Sequence, residues 1–116
     1  MIKVLKDKQI AVVASKKPII VDVNSALDLL ASVSYETKCQ KMIVNKEAFS
    51  EEFFDLKTKL LGETLQKFVN YKTKIAVVGD FSIYSSTSLK DFIYESNKGK
   101  DFFFVATEKE AVEKLK

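Results

Sequence analysis

The 116-residue chain, 47% hydrophobic and 30% charged, is long enough to bury a core as one domain, residues 1–116, and too rich in Phe (nine) and poor in Pro (one) for disorder. It contains no His and one cysteine, Cys39, which excludes Ser-His-Asp and Cys-His mechanisms, the usual zinc sites and an internal disulfide. All basic residues are Lys, 19 against 16 acidic, for a net charge of +3; the absence of Arg, the residue that reads phosphate and guanine edges, argues against a nucleic-acid binder.

No apolar run approaches the ~18 to 20 residues of a membrane span. The first residues, Met1-Ile2-Lys3-Val4-Leu5-Lys6-Asp7, lack the apolar stretch of a signal peptide. A lone thiol fits reducing cytoplasm, the compartment expected here.

Ile2 to Leu5 and Gln9 to Ala14 are apolar runs around polar Lys6-Asp7-Lys8, the pattern of a β-hairpin. Ile19-Ile20-Val21 reads as a short strand or an extended link. Ser25 and Asp28 fit a capping pattern, and Leu27, Leu30, Ala31 and Ser34 share one face of a helix over about Asn24 to Thr37. Lys41 to Asn45 is a strand whose continuous apolar centre suggests cover on both faces. Ser50 to Asp55 suits a helical turn.

Leu61, Leu65, Phe68 and Val69 form the apolar stripe of a second helix, about Thr58 to Asn70. Gly62 inside it implies close helix–sheet packing or close approach by a ligand or partner. Lys74 to Gly79 is the clearest strand. Ser88 and Asp91 can cap a third helix, with Leu89, Phe92 and Ile93 inward and a left-handed cap expected at Gly99. Phe102 to Val105 is a buried-strand run, and Thr107-Glu108-Lys109-Glu110 is a capping box opening a fourth helix with Ala111, Val112 and Leu115 on one face. The fold class is therefore α/β: an N-terminal β-hairpin, then alternating αβ units forming a mostly parallel sheet with helices packed against it.

That order resembles the STAS domains of anti-sigma-factor antagonists. Asp55-Leu56-Lys57, then Lys74-Ile75-Ala76-Val77-Val78-Gly79-Asp80, then Phe103 to Val112 look like successive motifs of SpoIIAA-like proteins, over roughly residues 40 to 116. The chain also resembles a family of short uncharacterised bacterial proteins sharing "FFDLKT", "VGDFS" and "DFIYESNKG", here Phe53 to Thr58, Val78 to Ser82 and Asp91 to Gly99. The resemblance implies a mainly non-enzymatic domain that binds a partner protein and is switched by phosphorylation in an Asp-Ser-Ser-Gly motif. That motif falls on Asp55-Leu56-Lys57-Thr58, where Leu56 and Lys57 replace the hydroxyls. The phospho-switch is not carried over, and Thr58 reads as a helix cap or, less simply, a modification site.

In open parallel sheets, ligands bind beyond the C-terminal strand ends. The candidates there are Asp22, Asn45, Lys46, Asp80, Ser82 and Thr107, joined by Asp55 and Lys57, with Phe53 and Phe54 beside Phe49 and Phe81 as core or groove lining. The polar set caps helices, binds a ligand or partner, or places Asp22, Asp55 and Asp80 with Lys57 for acid–base work. Val78-Gly79-Asp80 lacks the further glycines of a dinucleotide or P-loop fingerprint and reads as a tight turn, so no cofactor is expected; a carboxylate Mg²⁺ site is compatible with the composition. The hydroxyl-rich run Ser82 to Ser88 is a partner-contacting or modified loop, or simply a loop ending in a cap. The expected function is a non-enzymatic interaction or regulatory module binding a protein; the alternative is a binder of a small apolar or anionic ligand, and the third reading a carboxylate enzyme. A homo-oligomer is compatible with the chain.

Overall fold

The computed structural model describes residues 2–116. Five strands form one mixed sheet: β1 (Ile2–Leu5), β2 (Ile10–Val13), β3 (Lys41–Asn45), β4 (Lys74–Val78) and β5 (Phe102–Val105). They lie side by side in chain order. β1 and β2 pair antiparallel, Ile2 opposite Val13, and every later pair is parallel. Four helices complete the order: α1 (Val23–Thr37), α2 (Leu60–Asn70), α3 (Thr87–Lys98) and α4 (Glu108–Leu115).

A sheet that always advances in one direction, with crossovers of one hand, places all its crossover helices on one face. Ala26, Leu30 and Val33 of α1, Leu61, Leu65 and Phe68 of α2, and Leu89 of α3 share a core with Met42, Val44, Ile75, Val77 and Phe104. The alternate strand residues, Ile43, Ala76, Phe103 and Val105, meet Ala111 and Leu115 of α4 on the other face. Both faces of the central strands are therefore covered, which is why they read as unbroken apolar runs.

Several local expectations shift. The buried stripe of α1 is Ala26, Leu30 and Val33, while Ala31 and Ser34 are exposed. Its cap is Asp22, in a reciprocal box with Ser25, rather than Ser25 with Asp28. Ile20 makes only an isolated bridge to Phe49, so 19–21 is an extended link held by hydrogen bonds to Ala48 and from Ser50. α2 begins at Leu60, since a 3₁₀ turn takes Leu56–Thr58 and Lys59 adopts the left-handed conformation. Ser86, not Ser88, caps α3. Gly99 has φ −85°, so it is not a left-handed cap.

Two asparagines extend the sheet with side-chain amides. Asn45 donates to the Ser15 carbonyl (2.6 Å) and accepts from its N–H (2.9 Å), continuing the β2–β3 pairing past its last backbone bonds. Asn97 does the same to Phe104 on β5 (3.0 and 2.8 Å). An edge strand with its N–H and C=O groups so occupied is a poor template for another strand.

Gly62 does not pack closely: a Cβ there would meet nothing within 4 Å, so the close-packing expectation is corrected. Its freedom then costs helix stability without return. Gly62→Ala is expected to raise stability by about 0.4–1 kcal/mol, read as a higher urea midpoint at unchanged slope. A lowered midpoint would show that Gly62 meets something the exposed helix face does not.

Candidate functional site

The loops at the C-terminal strand ends hold most of the predicted residues, and most of the polar ones are engaged by the protein's own backbone or side chains. Asp22 accepts from the Ser25 N–H at 2.8 Å, and that bond and the Ser25 hydroxyl hold its carboxyl below the ordinary range. Asn45 stitches Ser15, as described. Asp55 accepts from the Lys57 N–H (3.1 Å), and the Lys57 side chain lies in solvent. Asp80 accepts from both the N–H and the hydroxyl of Ser82. The Thr58 hydroxyl donates to the carbonyls of Glu52 and Asp55 and accepts from Leu60, so it supports the start of α2 without being its formal cap. Phe53 (0% exposed) and Phe54 (4%) belong to the core beside Phe49, so they underlie the loop edge instead of lining an open groove.

Sequence reading underweights Lys46. The register that sets Asn45 opposite Val78 brings the next residues, Lys46 and Gly79, side by side. A Cβ on Gly79 would lie 2.5 Å from Lys46 Cβ, so glycine is required here by close approach. No glycine has positive φ, so the expected turn chemistry is not the reason.

The Lys46 side chain is only 7% exposed, yet its ammonium donates to Glu51 Oε1 at 3.1 Å. The Tyr84 hydroxyl donates to Glu51 Oε2 at 3.0 Å. The rings of Tyr84 and Phe54 stack 5.5 Å apart, with the ammonium 5.2 and 5.5 Å from their centroids. Burial pulls the Lys46 pKa down, but hydrogen bonding with Tyr84 and Glu51 outweighs it and the group titrates above the ordinary 10.5. For Tyr84, burial prevails and raises the phenol above 10.0. One buried cation thus ties the loop after β3 to the loop after β4.

Beyond that loop lies an open cleft of about 480 Å³. Phe81, Ile93, Phe104 and Val105 supply its apolar lining, and Asp80 and Glu110 its only charged groups among the described residues. Phe81 links it to the lysine cluster, edge-on to Phe104 (5.5 Å) and tilted against Phe54 (5.9 Å). Hydrogen bonds from the Ser82 hydroxyl and N–H hold Asp80 below the ordinary carboxyl value, and the nearby Lys46 charge adds to this. In the cleft lining the Ser82 hydroxyl meets the Asp80 carboxylate, but the same carboxylate oxygen also accepts the Ser82 N–H, so the contact closes a local turn. Among the described residues, no group of three or more Cys, Asp or Glu is arranged to hold a metal ion.

Residues 5–115 match the family model described as Domain of unknown function (DUF4180). The chain belongs to that family. No curated protein and no solved structure matches it. The match covers the sheet from the end of β1, both loops joined by Lys46, and the cleft. No helix is long and apolar enough to cross a membrane among the described residues.

Two outcomes follow from the lysine cluster. Gly79→Ala forces Lys46 or the β4 loop to move and is expected to cost about 1–3 kcal/mol by denaturant unfolding; a neutral effect would mean that the two residues are not in contact in solution. The second concerns alkaline pH. Lys46 and Tyr84 both hold their protons more tightly when folded, so their contribution is whole below pH 10.0 and is lost as pH rises through the folded values. Urea midpoints measured from about pH 9 to about pH 11.5 should fall, and fall less steeply in Lys46→Met and Tyr84→Phe. Equal slopes in all three proteins would remove the cluster as the cause.

Proposed function

We propose that this family member is a non-enzymatic protein-interaction module of STAS-like architecture, built as one domain, working in the cytoplasm through the loops that follow β4 and β5. The observation that carries the reading is the open, apolar-lined cleft at those loops, where the Ser82 hydroxyl and the Asp80 carboxylate close a local turn. Ile83, in the adjoining loop, is a large apolar side chain 64% exposed. A STAS-like order is supported by the N-terminal hairpin, the advancing parallel strands and the terminal helix α4.

Catalysis by Asp22, Asp55 and Asp80 is disfavoured because each carboxylate serves its own local turn. The phospho-switch is disfavoured as well: Leu56 and Lys57 carry no acceptor hydroxyl, and the Thr58 hydroxyl is occupied by the backbone. A small ligand remains the competing occupant, and an apolar one fits the lining better than an anionic one beside Asp80 and Glu110.

Capture from native cells with the immobilised wild-type chain and its Ile83→Asp variant separates the two, with mass spectrometry of proteins and small molecules together. A protein retained by the wild type and lost on the variant, with unchanged circular dichroism, supports the module. A stoichiometric small molecule, with the same proteins on both resins, overturns it.

A further inference from the structure

We infer that the cleft after β4 and β5 receives an arginine side chain presented by a partner protein and flanked by apolar residues. The inference rests on the interaction-module reading above and adds the chemistry of the partner. The first observation is charge. This chain carries more Lys than acidic residues, yet none of its 19 lysines lines the cleft, whose only charged groups are Asp80 and Glu110. A partner contributing a cation meets complementary charge there, and one contributing a carboxylate is repelled.

Both carboxylates retain acceptor capacity. Asp80 uses Oδ1 for both bonds from Ser82, and Glu110 uses Oε1 for the Thr107 hydroxyl at 3.2 Å. Their other oxygens accept from no residue of the described chain, and neither carboxylate forms an ion pair within it. An ionised carboxylate offers about four lone-pair sites, so each has room for an incoming N–H. The Lys46 ammonium makes its ion pair with Glu51 and reaches Asp80 only through its charge, so it occupies neither free oxygen.

The apolar lining selects the kind of cation. Half-buried Phe81 and Ile93 supply ring and aliphatic surface for a long stem, and a guanidinium both stacks on aromatic rings and forks toward carboxylates. An ammonium is more strongly hydrated and loses more on entering such a lining. The chain contains no Arg, so a second copy of itself cannot supply this group. The partner is therefore a different protein.

The test uses the full ¹⁵N-labelled chain and three capped tripeptides, Leu-Arg-Leu, Leu-Lys-Leu and Leu-Gln-Leu. The Arg peptide should produce saturable amide shifts at Phe81, Ser82, Ala106 and Glu110. The Lys peptide should bind several-fold more weakly and the Gln peptide weaker still, by about tenfold relative to Arg. Asp80→Asn with Glu110→Gln should weaken the Arg peptide about tenfold, since each variant keeps its side chain's shape and its local acceptor oxygen. Shifts elsewhere, equal binding of the Gln peptide, or indifference to the double variant overturns the assignment. A captured protein that is lost on Ile83→Asp but indifferent to Asp80→Asn with Glu110→Gln sinks the arginine assignment and leaves the module standing. Arginine-selective binding in the cleft, with no captured protein sensitive to Ile83→Asp, overturns the module and with it the protein origin of the arginine.

Discussion

The buried ammonium of Lys46 fixes the loop edge of this protein. A lysine with 7% of its side chain exposed carries a desolvation penalty of several kcal/mol unless its charge is met. Here it is met from outside, by a glutamate that is itself 72% exposed, and the aromatic faces of Phe54 and Tyr84 fill the space around it. The arrangement has a geometric cost elsewhere: the stem passes so close to β4 that position 79 has no room for a Cβ. The loops after β3 and β4 therefore cannot shift independently. Moving either one strands a buried charge or opens a gap beside Gly79.

This constraint acts on a sheet whose topology offers little else for binding. Clefts in open α/β sheets arise where strand order reverses and successive loops diverge to opposite faces. The five strands here advance from β1 to β5 without a reversal, and α1, α2 and α3 all pack on one face. The remaining asymmetry lies at β5, where the chain crosses to the other face through α4. The cleft forms at that change of face, lined by residues of the β4 loop, β5, α3 and the first turn of α4. Its location follows from chain direction, and its shape from the β4 loop that Lys46 holds.

Most of the fold is legible in the sequence because it rests on periodicity. The strands at 41–45, 74–78 and 102–105 are continuous apolar runs, and α2 and α4 show their buried stripes plainly. Caps and faces are less legible where two hydroxyl or acidic residues compete. Asp22 and Ser25 can each cap α1, and Ser86 and Ser88 can each cap α3; only backbone geometry decides. Asn45 reads as a site residue because an amide after a strand serves equally well for a ligand or for the backbone of Ser15. Lys46 is obscured for a different reason. A lysine just past a strand is nearly always solvated, and its burial depends on contacts with residues 33 and 38 positions away, Gly79 and Tyr84. The signal lies in strand register, which becomes readable only once β3 and β4 are paired.

The same cluster sets the sign of the neighbouring surface. Lys46 and Glu51 lie 3.1 Å apart, so part of the ammonium's field is offset at the loop, and what reaches Asp80 favours its ionised form. Were Glu51 absent, the Lys46 charge would stand uncompensated behind Asp80 and offset it. With Glu51 in place, the bonds from Ser82 and the proximity of Lys46 lower the Asp80 carboxyl, and Asp80 and Glu110 stand as the charged groups of the described cleft lining. A lysine-rich protein thus presents an acidic, apolar-lined recess beside a lysine that is buried, paired and turned to structural use.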